Sequence, residues 1–167
     1  RSVTGINTQK VFVLGHSLGG ILLPRIAAAD PNITGIIIMA AATRPLEDVI
    51  LDQSNYVCSL KDKPSAAEQN ELELLKQKVA RVKDDNLLAA SKEDDLPYGI
   101  PPAYWLDLKK YNPAETAKGL RQRIFILHPD RDYQVNDVDI QSWRNALASR
   151  ANVTIKRYPT LNHLFIE

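Results

Sequence analysis

The sequence predicts an α/β fold: a mostly parallel sheet of about four strands with flanking helices, interrupted by a helical insertion. Three observations predict it. Four short apolar runs, at residues 10–14, 34–39, 123–127 and 153–158, have the length and β-branched content of strands. Helix-like stretches follow the first and third of them, and strand–helix–strand at this spacing is a βαβ unit with parallel strands. Between residues 43 and 113 no strand-like run occurs at all.

Taken in order, residues 10–14, with Val11-Phe12-Val13-Leu14, read as a buried strand, and residues 18–29 as a helix. Pro31-Asn32 breaks the chain before Thr34-Gly35-Ile36-Ile37-Ile38-Met39, a second buried strand. Ser65 and Glu68 form a capping box after Pro64 and open a long helix. In it Leu72, Leu75, Val79 and Val82 recur at spacings of three and four, with Glu71, Lys76, Lys78, Arg81 and Lys83 opposite, the pattern of an amphipathic helix lying on a domain. The stretch is too short in heptads for a coiled coil. Residues 94–102 read as a loop and 103–108 as a short aromatic helix or turn. Arg123-Ile124-Phe125-Ile126-Leu127 is a third buried strand, and 128–132 the loop after it. Val138, Trp143, Ala146 and Leu147 define the apolar face of a helix. Val153–Tyr158 alternates as an edge strand would, and 159–163 is the closing loop. The predicted organisation is therefore a core of residues 1–42 and 114–167 around an insertion of residues 43–113.

Composition narrows the function classes. The 167 residues are enough for one domain with a core, and 44% hydrophobic and 25% charged content is ordinary for a globular chain. A net charge of +1 offers no basic surplus for nucleic acid or an anionic membrane. The longest apolar runs, such as residues 35–42, are far shorter than a bilayer span. Cys58 is the only cysteine, which rules out an intramolecular disulfide and a thiolate metal cluster within one chain. No H-E-x-x-H and no G-x-x-x-x-G-K-[ST] occurs, and His16, His128 and His163 are scattered, so neither a metal nor a cofactor is expected. The chain starts at Arg1 rather than methionine, and the compartment stays open.

The chemistry begins at Gly15-His16-Ser17-Leu18-Gly19, between the first strand and the first helix. A strand that turns sharply into a helix forces the residue at the apex into a strained backbone region. A side chain two residues before or after it would clash, so small residues are expected at both 15 and 19. The turn lifts the Ser17 hydroxyl to the top of the sheet. It also sets the backbone N–H of Leu18 at a helix N-terminus, where it can serve a developing oxyanion. A serine hydroxyl needs a base to take its proton, and an imidazole needs a carboxylate to hold its tautomer. His163 follows the fourth strand, and Asp130 and Asp132 both lie in the loop after the third. In open parallel sheets such loops open on one edge, where ligands sit. The chain order serine, acid, histidine is that of one class of hydrolase. His16 reads as a filler of the turn with local contacts, and His128 as a structural residue.

Three segments carry a family resemblance: residues 13–20, Pro129-Asp130-Arg131-Asp132-Tyr133-Gln134-Val135, and Leu161-Asn162-His163-Leu164-Phe165. They resemble the carboxylesterase branch of the α/β-hydrolase family, near its dienelactone-hydrolase-like and acyl-peptidase-like members. Pro129 stands where that family usually has glycine. The resemblance implies Ser17 as nucleophile, Asp132 as the acid and His163 as the base of a serine hydrolase acting on small carboxylic esters. Ala103-Tyr104-Trp105-Leu106-Asp107 also resembles the insertion these esterases place between strands, which implies that residues 43–113 are a lid or cap over the acyl pocket. The same triad serves peptidases, thioesterases and acyltransferases, and a non-catalytic binding domain on this fold is the alternative from another class.

The resemblance also implies what is lacking. Such a sheet has about eight strands, with the serine turn after the fifth. Only about ten residues precede the first strand here. A partial α/β-hydrolase fold is therefore expected, without the loop that normally supplies a second oxyanion donor. The expectation is a C-terminal fragment of a longer enzyme; a natural short form, or a sheet rebuilt by pairing with another copy, would also fit the missing strands. The first strand should then be a raw edge that calls for a partner strand, as in a homo-oligomer or swapped dimer.

Overall fold

A computed structural model describes residues 4–5 and 7–167. In chain order its elements are β1 (Phe12–His16), α1 (Leu18–Ala29), β2 (Gly35–Met39), α2 (Leu46–Ser59), α3 (Ala66–Lys83), α4 (Pro102–Leu108), α5 (Pro113–Lys118), β3 (Arg123–Pro129), α6 (Asp137–Leu147) and β4 (Val153–Tyr158). Two 3-10 turns, Glu93–Asp95 and Pro97–Gly99, lie before α4. The four strands form one parallel sheet in the order β1-β2-β3-β4. Helical segments between successive strands return the chain to the same end, as parallel pairing requires. The register aligns His16 with Met39, Met39 with Leu127 and Leu127 with Lys156, so the carboxyl ends lie along one edge.

The chain divides into two units, Arg1–Thr43 with Asn112–Glu167, and Arg44–Tyr111. In the sheet unit, Ile36 and Ile38 of β2 and Ile124 and Ile126 of β3 are buried, as are Leu23 and Ala27 of α1 and Ile140, Trp143 and Leu147 of α6. A period of two along the strands and of three to four along the helices puts these side chains on core faces. α1 runs through Pro24 without ending, although a proline at that position removes one backbone donor.

The helical unit has its own core: Ile50, Val82, Leu87, Leu96 and Trp105, with Leu46, Leu75, Ile100 and Leu106 against it. The capping box of α3 is formed: Glu68 N–H donates to Ser65 Oγ at 3.3 Å, and Ser65 N–H to Glu68 Oε2 at 2.9 Å. Lys61 also pairs with Glu68, and this bond, with those from Ser65, lowers the Glu68 carboxyl to about 2. Among the described residues no helix is long and apolar enough to cross a membrane.

Several expectations need correction. The first strand starts two residues later than read and is not buried: Phe12 is 52% exposed and Leu14 56%. The reason is position, because β1 ends the sheet and these two residues lie on the face away from the core. Phe12, Ile37, Phe125 and Thr154 line an open groove of about 580 Å³ on that face. β3 runs on through His128 and Pro129, which pair with Arg157 and Tyr158, so the loop begins at Asp130. Val138 is off the buried face of α6, at 60% exposure. Asn136 caps this helix by accepting from Val138 N–H at 3.0 Å, which leaves Val138 in the first turn facing out. The buried stripe instead includes Asp139, whose carboxylate accepts from the N–H of Thr43 at 2.8 Å and from its hydroxyl at 3.2 Å. Helices α2 and α5 were not individually legible in the sequence.

Candidate active site

Backbone geometry defines the turn between β1 and α1. Ser17 has φ 54 and ψ −121, a region a non-glycine residue enters only when its surroundings force it. Its N–H donates to Met39 C=O at 2.9 Å and its C=O accepts from Ile21 N–H at 3.0 Å, so the strained residue is pinned from both sides. Glycine is required at 15: a Cβ there would lie 2.5 Å from the Gly19 carbonyl carbon and 2.8 Å from Gly20 N. The expectation for position 19 fails, because a Cβ at Gly19 meets nothing within 4 Å. The close approach falls on Gly20, where a Cβ would lie 2.7 Å from Ala41 Cβ and 3.0 Å from Gly15 O. The α1 backbone passes the loop after β2 one residue further along than the motif suggests. Leu18 is the first residue of α1, a position whose N–H has no acceptor within the helix.

Asp132 and His163 meet directly. His163 Nδ1 lies 2.7 Å from Asp132 Oδ2, and both residues are buried. A carboxylate only accepts, so Nδ1 carries the proton, and in the neutral ring Nε2 keeps its lone pair. Asp132 Oδ1 accepts from the N–H of Gln134 at 2.8 Å and of Val135 at 3.0 Å, which fixes the carboxylate plane. Backbone bonds tie the two loops together: Asp130 N–H to Tyr158 C=O at 2.9 Å, and Arg131 N–H to Leu161 C=O at 3.0 Å. The loop after β4 closes on itself through Asn162, whose Oδ1 accepts from Leu164 N–H at 2.9 Å and whose C=O accepts from Phe165 N–H at 2.8 Å.

Asp130, the other carboxylate in that loop, points elsewhere and accepts from Arg157 Nε at 2.6 Å. Arg157 also donates to Asp137 at 2.7 Å. His128 is buried behind this cluster. Burial pushes its ring below the ordinary imidazole range and the Arg157 guanidinium adds to the effect, against the partial opposition of Asp130, Asp132 and Asp137.

The Ser17 hydroxyl makes no hydrogen bond among the described residues. The link between the turn and the His163 loop runs instead through His16, whose Nε2 lies 2.8 Å from the backbone oxygen of His163. The sequence suggests only local contacts for His16. Its partner lies 147 positions away, and no local pattern announces such a bond.

The sequence model of the serine aminopeptidase S33 family matches residues 3–167. The esterase EstD of Thermotoga maritima is 37% identical over 161 residues, which cover 96% of this chain and 36% of that protein. The chain thus spans about a third of the length of this curated relative. Among solved structures, the esterase domain of a Rhodothermus marinus protein superposes with a TM-score of 0.55 at 15% identity, covering 94% of this chain and 52% of that one. Acetyl xylan esterase 1 from Thermoanaerobacterium gives 0.55 at 16%, covering 97% and 43%. At such identities these two likenesses speak for the fold alone. A parallel sheet, a strained serine at the strand–helix turn and a match along nearly the whole sequence agree, and the chain belongs to the S33 serine aminopeptidase family of α/β-hydrolases.

Proposed function

We propose that this chain carries the catalytic residues of a serine hydrolase that cleaves carboxylic esters. One observation carries the proposal: the 2.7 Å bond from His163 Nδ1 to Asp132, which leaves Nε2 as the basic nitrogen. In the proposed reaction Ser17 Oγ attacks the acyl carbon while His163 Nε2 takes the hydroxyl proton. The Leu18 N–H donates to the developing oxyanion. His163 then returns the proton to the leaving alcohol, and water repeats the sequence on the acyl-enzyme to release the acid and free Ser17. Asp132 holds the imidazole in the required tautomer and stabilises the imidazolium that forms. The name of the relative from Thermotoga maritima favours an ester as substrate.

The outer edge of β1, which pairs with no strand among the described residues, is part of the same proposal, as a surface where another strand pairs. The helical insertion is proposed as the element that sets acyl-chain preference. A second reading, a peptidase, is favoured by the description of the family model.

A fluorophosphonate probe tests the central claim. It should label the protein at Ser17, and Ser17→Ala should abolish labelling; undiminished labelling in that variant refutes the assignment. Because the chain spans about a third of its relative, labelling is measured on this chain and on the longest natural form that contains it. Turnover of a p-nitrophenyl acetate series against aminoacyl p-nitroanilides separates esterase from peptidase.

A further inference from the structure

We propose that His16 is a positioning residue that holds the His163 loop over the serine turn. The inference rests on the reading of His163 as the general base. A backbone carbonyl only accepts, so the 2.8 Å contact between His16 Nε2 and the His163 oxygen is an N–H donated by His16. The two rings also pack, with centroids 4.8 Å apart and planes inclined by 49°. Phe165, in the turn that follows, meets His16 edge-on at 6.5 Å and Tyr158 at 5.7 Å.

Topology explains why such an anchor is needed. β4 and β1 are the two ends of the sheet. Three strand spacings of about 4.8 Å separate them by about 14 Å. The closing segment does not cross that width extended. It turns at once, with Leu161 N–H donating to Tyr158 C=O at 3.4 Å, and its Leu161 C=O is held by Arg131 N–H at 3.0 Å, so side chains bridge the remaining gap to β1. Asp132 restrains the His163 ring from the β3 side. His16 is the last residue of β1, paired with Met39, and restrains the His163 backbone from the other side. With one anchor removed, the loop keeps its fold through Asn162, but the aim of Nε2 loosens, and aim is what proton transfer depends on.

The test compares His16→Leu, which keeps bulk and loses the donor, with His16→Gln, which keeps an N–H donor. Two readouts are taken alongside the melting temperature. One is kcat and KM for p-nitrophenyl acetate. The other is the downfield imidazole proton signal of His163 Nδ1–H, assigned by its disappearance in His163→Gln. His16→Leu should lower kcat about tenfold, the worth of one well-made hydrogen bond. KM should stay within about twofold. The Nδ1 proton should broaden through faster exchange with water, and His16→Gln should restore both. The proposal is overturned if His16→Leu leaves kcat and the proton signal unchanged. It is equally overturned if both variants lose them in step with melting temperature, which would mean packing alone. The proton signal reads the His16 anchor without turnover, so a failure of the Ser17 assignment, seen as labelling that survives Ser17→Ala, stays separate from a failure here.

Discussion

Gly15→Ala and Gly19→Ala add the same methyl group at equal distances in sequence from Ser17, yet they should act in opposite directions. At position 15 the new Cβ would lie 2.5 Å from the Gly19 carbonyl carbon and 2.8 Å from Gly20 N, against 3.4 Å for ordinary contact. These neighbours are backbone atoms at the start of α1 and cannot rotate aside. The turn must open by close to an ångström, at a cost on the order of 1–3 kcal/mol or more. At position 19 the Cβ would meet nothing within 4 Å, and the residue lies inside α1. Replacing a helical glycine with alanine there removes unfolded-chain freedom and stabilises by about 0.5–1 kcal/mol. For a chain of this size 1 kcal/mol moves the melting temperature by about 2–4 °C. Gly15→Ala should therefore melt about 2–12 °C lower, and Gly19→Ala about 1–4 °C higher. Gly20→Ala should fall on the destabilised side, because its Cβ would meet Ala41 Cβ at 2.7 Å. Thermal denaturation followed by circular dichroism ranks the three variants. Fluorophosphonate labelling at Ser17 should be lost with Gly15→Ala, since the φ of 54 at Ser17 depends on that close approach. A Gly19→Ala variant as unstable as Gly15→Ala would refute the steric account of this turn.

Further outcomes follow from the same geometry. Asp132→Asn should slow labelling on the order of 10⁴-fold. With its oxygen still facing the N–H groups of Gln134 and Val135, the new amide would donate to His163 Nδ1 and force the tautomer whose Nε2 is protonated. A labelling rate within tenfold of the parent would count against Asp132 as the partner. His128 is held below the ordinary imidazole value of about 6.5 in the folded protein, so between the two values the unfolded chain binds the extra proton. Its contribution to stability is complete above about pH 6.5 and is lost as pH falls through the folded value. Urea midpoints between pH 7 and 5 should accordingly fall less steeply in His128→Leu than in the parent, and parallel slopes would dismiss the effect. Among the described residues no strand pairs with the outer edge of β1, and Phe12 and Leu14 are exposed, so this chain should self-associate. Light scattering after size exclusion should detect it, and a monodisperse monomer with slowly exchanging β1 amides would argue otherwise.

Local physics was legible over short distances. The spacing of Leu72, Leu75, Val79 and Val82 found α3, and Ser65 with Glu68 found its start, because both depend on contacts three and four residues apart. α1 was found end to end, since its sequence carries both the turn that opens it and the break at Pro31-Asn32 that follows it. α2 escaped because polar and apolar residues mix along it, with buried Glu47 among them. The apolar face of α6 differs from the expected one at Val138, which is exposed, and the buried Asp139 beside it has no signature in the local pattern. Which of two adjacent residues faces inward is decided by the Asn136 cap and by Thr43, 96 positions away.

At the turn, the serine, its strain and the glycine before it were determined by sequence alone, because a strand that reverses into a helix imposes those residue types within a span of five. Tertiary structure decided the rest. Only the folded chain shows that Gly20 rather than Gly19 bears the close approach, that Asp132, the acid the resemblance implies, bonds His163 across 31 positions, and that His16 reaches the His163 backbone across 147. These contacts depend on strand order, register and the path of the loop at the sheet end. They arise from where separate segments come to rest, and such information is spread over the whole fold rather than written at any one place in the chain.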